Sequence, residues 1–175
     1  MKVNLLAATL AASLVTGAAA QMVKLPPAIE ALSRTASETV DVTMDASMIR
    51  FAERFLSDRD PDQVKAKRIL RGLNAIYVKT FEFSTDGAYT ASDVDSVRDQ
   101  LRAPEWSRIV QARDGEENVE VFTKIRGGEI DGMLVLATEP RELTIVQIDG
   151  PIRPEELASL NGRVGLPRIR IGKTK

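Results

Sequence analysis

Carboxylates are the side chains in this sequence whose types and spacing best suit chemistry. Three aspartates alternate over residues 58–62 as D-x-D-x-D, the spacing that opens a calcium loop. Such a loop needs a glycine at its sixth position and a bidentate acid at its twelfth, where this chain has Gln63 and Ile69. Asp60 followed by Pro61, with Gln63 three residues after the aspartate, is instead typical of a helix N-terminus. We therefore expect a helix cap here and no metal site.

Further carboxylates occur in pairs and in one acidic loop. Asp93 with Asp95, and Glu129 with Asp131, occupy alternate positions at which two acids can share acid/base work. A pair does such work only where its surroundings separate the two pKa values, and spacing alone does not establish those surroundings. The acidic loop from Asp114 to Asn118 is interpreted as a solvated hairpin connection.

Composition removes most other catalytic chemistry. The chain has no histidine and no cysteine, so the commonest general base, the usual catalytic triads and the commonest metal ligands have no candidates. It also has no phosphate-binding glycine loop, nucleophile elbow or dinucleotide fingerprint. We predict a noncatalytic protein with no catalytic residue and no cofactor. The alternative is a hydrolase that works with carboxylates and without histidine.

The N-terminus predicts export. A basic Lys2 precedes the mostly apolar run 3–15, and small residues end at Ala20 in the pattern that signal peptidase cleaves. The apolar run is shorter than the roughly 20 residues of a membrane span. We therefore expect cleavage between Ala20 and Gln21, a periplasmic or secreted location, and no stable membrane span in the mature chain. The 24 basic and 25 acidic residues argue against nucleic acid as a partner.

Hydrophobic periodicity predicts the element order β-α-α-β-α-β-β-β-β-α. Such an order indicates an α+β fold with a mixed or largely antiparallel sheet, a C-terminal four-stranded meander and helices packed on one face. We place a signal peptide at 1–20, an N-terminal extension with a short helix at 21–36, one domain at 37–160 and a flexible basic tail at 161–175. The predicted strands are Glu38–Met44, Ala75–Phe83, Trp106–Arg113, Asn118–Arg126, Ile130–Thr138 and Glu142–Asp149.

Two predicted helices have sequence signals that the structure can test. The first carries an apolar stripe at helical spacing, which we expect to face the core. A later helix is predicted to begin at Ser92, with Asp95 three residues on, and to end before Pro104. The residues of the apolar stripe are Met48, Phe51, Ala52, Phe55 and Leu56.

The segment "SMIRFAERFLSDRDPDQVKAKRILRGLNAIYVKTFEFS", residues 47–84, resembles the core of a bacterial family, the domain of unknown function 4252 family. The shared pattern is an amphipathic helix, an acidic joint with proline, a lysine-rich helix, and "GL" leading into a strand. The resemblance covers roughly residues 37–150 and implies an exported, often envelope-associated protein without an established activity. Some members are lipoproteins, but this chain lacks the lipid-bearing cysteine. No residue role follows from the resemblance.

One strand offers a candidate interaction surface. Tyr77, Lys79, Phe81 and Phe83 alternate along the chain and therefore point to the same side of the strand. Were that side exposed, three aromatic rings beside a lysine would have the composition of a protein interface. The alternative is that these rings are ordinary core. The function predicted from the sequence is binding of an envelope protein or a small ligand through a sheet face or a sheet edge.

Overall fold

The computed structural model describes residues 23–153, in which one six-stranded sheet is formed in the order β1-β2-β6-β5-β4-β3. Every neighbouring pair of strands is antiparallel. The strands are β1 (Glu38–Asp45), β2 (Ala75–Glu82), β3 (Trp106–Asp114), β4 (Glu117–Arg126), β5 (Glu129–Glu139) and β6 (Glu142–Ile152). The helices are α1 (Pro27–Ala31), continued by a 3₁₀ turn (Leu32–Arg34), α2 (Ala46–Glu53), α3 (Pro61–Gly72) and α4 (Ala91–Arg98).

This architecture confirms the predicted α+β class, the order of the elements and the C-terminal meander β3 to β6. The last predicted helix, after Arg153, lies outside the described residues. The segment that we placed before the domain contributes to its core, because Leu25, Ile29 and Leu32 are buried against the sheet.

A row of six valines, one on each strand, crosses the whole sheet. Each valine lies directly opposite the next across every strand pair, so all six share one face, which we call the valine face. β-Branched side chains fit a pleated surface well and pack against their cross-strand neighbours. The row consists of Val42, Val78, Val146, Val135, Val121 and Val110.

The helices are divided between both faces of the sheet, whereas we expected them on one. On the valine face, Ile49 of α2 and Leu73 after α3 join the central valines in one buried cluster. On the opposite face, Ile29 of α1 and Val97 of α4 pack with Phe81 and other strand residues in a second cluster. The two central strands, β5 and β6, are apolar at successive positions, so both of their faces need cover.

Side-chain hydrogen bonds cap the N-termini of α3 and α4. Asp60 accepts hydrogen bonds from the backbone N–H groups of Asp62 at 2.8 Å and Gln63 at 3.3 Å, which confirms the predicted cap of α3. The start of α4 was predicted two residues too late. Thr90 is its N-cap and forms a capping box with Asp93. The chain is fixed just before this point because the Tyr89 hydroxyl donates to backbone carbonyls of the β5–β6 turn.

The prediction that the apolar stripe of α2 faces the core is wrong for its largest residues. Met48, Phe51 and Phe55 are 52%, 54% and 74% exposed. The helix buries Ile49 and Glu53 instead. An eight-residue helix with apolar side chains on two sides covers only one of them, and here the side of Ile49 enters the core.

Candidate functional site

The four residues proposed as an interaction patch lie beneath α1 and belong largely to the core. Phe81, Phe83 and Lys79 are buried, and Tyr77 is half-buried against the same cluster. They therefore form no exposed aromatic surface, and this side of β2 has the core role that was the alternative interpretation.

Lys79 and Tyr77 form part of a polar cluster at the edge of this core. The Lys79 ammonium lies 2.5 Å from Asp41 Oδ2 and 3.8 Å from Glu30 Oε2, so its charge is compensated although it is buried. The same nitrogen lies 5.7 Å from the centre of the Phe81 ring. Burial, followed by the charges of Asp41 and Glu30, raises the pKa of Tyr77 to about 12.

The aspartates of the D-x-D-x-D segment have structural roles. Asp60 caps α3, and Asp58 Oδ1 accepts a hydrogen bond of 2.7 Å from Lys67. This bond, with the charge of Lys67, lowers the pKa of Asp58. Within residues 23–153, no group of three or more acidic side chains is arranged to hold a metal ion.

The aspartates of the two candidate carboxylate pairs bind other partners. Asp93 closes the capping box of α4, while Asp95 accepts a hydrogen bond of 2.7 Å from Arg98. Asp131 lies 3.3 Å from Arg126, which is on β4. These three aspartates are thus engaged separately, each with a partner outside its proposed pair.

Exposed apolar side chains occur on β1, on α2 and in the turn after α2. Val40 and Val42 of β1 are 38% and 39% exposed on the valine face. The ring of Phe51 in α2 packs edge to face on that of Phe55, just after the helix, at 5.2 Å between centroids. We call these side chains together the apolar margin. Its residues are Val40, Val42, Met48, Phe51 and Phe55.

The two edges of the sheet differ in regularity. β1 pairs with β2 over eight consecutive residues without a bulge. β3, the other edge, has a bulge between Arg108 and Val110 that interrupts its register. Bulges protect edge strands from pairing with other chains. Among the described residues, β1 is thus the regular edge with room for another strand.

A row of glutamates borders the valine face at one end. Glu38, Glu82, Glu142 and Glu139 lie directly opposite one another on successive neighbouring strands, and we call them the glutamate row. Burial, followed by repulsion from Glu142 and Glu117, raises the pKa of Glu139. Like charges opposite each other destabilise a sheet, so this row attracts positive charge.

The opposite face contains a buried ionic network that the sequence did not predict. The Glu120 side chain is 1% exposed, and its two oxygens each accept a hydrogen bond of 2.7 Å, one from Arg98 and one from Arg108. Burial acts to lower the pKa of Arg98, but hydrogen bonds to Asp95 and Glu120 outweigh it and raise that pKa. The network joins α4 to β3 and β4.

Polar residues on the covered side of β4 explain why this network was missed. Asn118 and Glu120 alternate with Val119 and Val121, which is the pattern of a strand with one side in water. α4 lies over that side, however, and both polar residues are buried. Asn118 was predicted both to end the solvated acidic loop and to begin a strand; it is the second residue of β4 and is buried, so the strand prediction is confirmed and the loop interpretation is wrong for this residue.

Beside the network, a cavity of about 530 Å³ is lined by residues from the start of α4 and from two sheet turns. Glu139 is also among its lining residues, but by strand alternation its side chain belongs to the glutamate row on the valine face. The hydrolase hypothesis requires two carboxylates in one site whose pKa values are separated, and the Glu139 carboxylate lies on the other side of the sheet from this cavity.

These features define the class as an α+β protein built on one antiparallel sheet, with an open regular edge and an exposed apolar margin among its described residues. No helix in the described range 23–153 is long and apolar enough to span a membrane. The chain belongs to the family described as Domain of unknown function (DUF4252), whose model matches residues 34–160. No curated protein matches the chain.

Proposed function

We propose that this is an exported, noncatalytic envelope protein that binds another protein by accepting an extended segment of it along β1. The observation that carries the proposal is the apolar margin beside a regular sheet edge. Exposed contiguous apolar surfaces mark interaction sites, and open edges bind extended peptides through main-chain hydrogen bonds.

The structure also indicates what such a segment would contain. An added strand would place alternate side chains beside Val40 and Val42, so aliphatic or aromatic residues suit that side. β1 has three acidic residues and no basic one, and Glu38 begins the glutamate row. A lysine or arginine of the partner beside Glu38 would offset the repulsion within that row.

The helix α2 adds a second contact to the same partner. Phe51 and Phe55 are exposed aromatic residues flanked by Arg50 and Arg54, and interfaces are enriched in aromatic residues and arginine. Because α2 follows β1 directly in the chain, the first residues of this helix lie near the Asp45 end of the edge strand.

Export rests on the N-terminal sequence, which lies outside the described residues. Intact-mass analysis of the protein recovered from the periplasm or the medium is expected to find a chain that begins at Gln21. A chain that keeps residues 1–20 and stays in the membrane fraction would contradict export with cleavage.

Photocrosslinking tests the binding surface in the full chain. We place p-benzoylphenylalanine at Val42 on β1, and at Ile109 on the bulged edge in a matched control, and express both proteins in their native cells. Ile109 is 53% exposed, so both positions are accessible. We expect a partner protein to crosslink to the probe at position 42 and none to the probe at position 109. The crosslinked peptide of the partner should alternate apolar and basic residues.

A second experiment tests the same surface by placing a charge on the edge strand β1. The substitution Val42→Lys should block strand addition and weaken partner capture by about tenfold or more, because charged side chains protect edge strands. The control substitution Ile109→Lys should leave capture unchanged, and both variants should keep the unfolding temperature. Equal crosslinking at both positions, crosslinking to a second copy of this chain alone, or full capture by the Val42→Lys variant would overturn the proposal.

A further inference from the structure

The basic tail of the chain, residues 161–175, has the sequence that the β1 edge would accept. It lies outside the described residues and contains no acidic residue. Residues 168–171 read RIRI, so basic and apolar side chains alternate as they do along a strand. We propose that residues 168–173 occupy the β1 edge as an added antiparallel strand until a partner displaces them. The inference rests on the proposed function, because both require β1 to accept an extended segment. The basic residues of the tail are Arg163, Arg168, Arg170, Lys173 and Lys175.

One antiparallel register matches the apolar side chains of β1 and the tail. The exposed valines Val40 and Val42 are two residues apart on the valine face. The tail has two isoleucines at the same spacing. If Ile169 lies opposite Val42, then Ile171 follows opposite the other valine. Side chains directly opposite each other in a sheet are in contact, so both isoleucines would cover exposed valine surface.

The same register places basic residues of the tail opposite acidic residues of β1. Lys173 falls opposite Glu38, which begins the glutamate row. Arg170 falls opposite Asp41, on the other side of the strand. Opposite charges directly across two strands stabilise their pairing, and the lysine would also offset the repulsion within the glutamate row.

Asp41 lies in a cluster that has negative charge left over. Its carboxylate and that of Glu30 are both about half exposed, and they share the ammonium of Lys79 at 2.5 Å and 3.8 Å. Two carboxylates and one ammonium leave one negative charge uncompensated. A guanidinium opposite Asp41 would compensate it.

The chain can reach this edge in the required direction. β6 and β1 run the same way, because β2 lies between them and is antiparallel to both. The chain therefore leaves β6 at the end of the sheet where β1 ends, and the two strands are about 10 Å apart. About 15 residues separate Arg153 from Arg168, and such a length spans up to roughly 50 Å when extended. The tail can thus turn back antiparallel to β1.

Tethering favours the tail over a separate molecule of equal sequence. A tethered segment has an effective concentration on the order of millimolar at its site, so weak pairing is enough to occupy the edge. A partner must bind more tightly than the tail in order to displace it.

Disulfide trapping in the full mature chain tests this register, because the native chain has no cysteine. The variant Thr43→Cys/Arg168→Cys places its two cysteines directly opposite each other, at a Cα separation that suits a disulfide. It keeps every side chain on which the register depends. In the matched control Thr39→Cys/Arg168→Cys, the two positions are about 13 Å apart along the strand. We expect an intramolecular disulfide in the first variant and about tenfold less in the control.

Charge reversal in the tail tests the ionic contacts. Adding Arg170→Glu/Lys173→Glu to the first cysteine variant should lower the disulfide yield about tenfold, because acids of the tail would then face acids of β1. Adding Arg163→Glu/Lys175→Glu is the matched control. It changes the net charge equally but lies outside the paired residues, so the yield should stay the same.

Partner capture separates this inference from the proposed function. The Arg170→Glu/Lys173→Glu tail should increase capture at Val42, since it no longer competes for the edge. Capture at Val42 without a disulfide between positions 43 and 168 would overturn the inference and leave the proposed function standing. The disulfide without any captured partner would do the reverse. A disulfide between two chains, equal yields in the two cysteine variants, or an undiminished yield after charge reversal would also overturn the inference.

Discussion

The Glu120 network and the apolar margin both depart from the usual placement of residues, one by burying a charge and the other by exposing large apolar side chains. Glu120 is a charged side chain in the interior, and Phe55 is a large apolar side chain that is 74% exposed. Charges are almost never fully buried unless they are paired, and Glu120 is paired twice. Phe55 stacks only edge to face on Phe51 among the aromatic contacts of the described residues.

The difference lies in what each region depends on. The network depends on the fold, because its partners come from three elements and leave no charge uncompensated. The apolar margin contributes less to the fold, because Met48, Phe51 and Phe55 are each more than half exposed and therefore gain less from folding than buried side chains do. Exposed apolar residues that do not serve the fold are the ones to test for binding.

The largest expected change in unfolding free energy comes from breaking the Glu120 network. In the double variant Arg98→Met/Arg108→Met, Glu120 stays buried without a cation, which should cost about 3–5 kcal/mol of unfolding free energy. Denaturant unfolding measures this loss. The triple variant that adds Glu120→Leu should recover much of it, because replacing a whole buried ion pair with apolar residues is often neutral. If the triple variant is no more stable than the double variant, buried charge is not the cause of the loss.

Two neighbouring residues of α2 allow the core to be compared directly with the apolar margin. Ile49 is fully buried, whereas Met48 belongs to the apolar margin. Ile49→Ala should cost about 3 kcal/mol of unfolding free energy because it leaves a cavity in the core. Met48→Ala should change that free energy by less than about 0.5 kcal/mol. Similar losses in both variants would mean that the margin is part of the core.

The start of α4 predicts an intermediate effect. Thr90→Ala removes the side-chain oxygen that accepts the N–H of Asp93 and should cost about 1 kcal/mol. Ser92→Ala is the matched control, since Ser92 lies inside the helix and should change stability by less than about 0.5 kcal/mol. A larger loss from Ser92→Ala would restore the start that we predicted from the sequence.

Sequence patterns predicted the fold better than they predicted these two regions. Alternation and turn residues located all six strands, and Asp60 with Pro61 located the start of α3. Both capping choices for α4 match the same short pattern, and the contacts that hold Tyr89 against the β5–β6 turn are not visible in that pattern. Local patterns carry no information on which side of a strand a distant helix will cover.

The residues of the candidate sites show the same limit. Glu120 and Asn118 alternate with valines as solvent-facing residues do, and they are buried only because α4 lies over them. The stripe of α2 has helical spacing but faces outward, because Ile49 competes for the same core. A signal for the network did exist in Arg98 and Arg108, but pairing them with Glu120 requires the sheet register.

The smallest expected effect concerns the glutamate row, and its sign depends on pH. The raised pKa of Glu139 means that the folded chain holds this proton more tightly than the unfolded chain, whose ordinary value is 4.5. Stability therefore falls as pH rises from below 4.5 through the folded pKa, and the full penalty applies at neutral pH. Glu139→Gln should raise the unfolding free energy on the order of 0.5 kcal/mol near neutral pH. The gain should vanish near pH 3, roughly, where both states are protonated, and Glu129→Gln at the other end of β5 should show neither effect. If the Glu139→Gln variant gained the same stability at both pH values, the gain would come from packing and not from repulsion within the glutamate row.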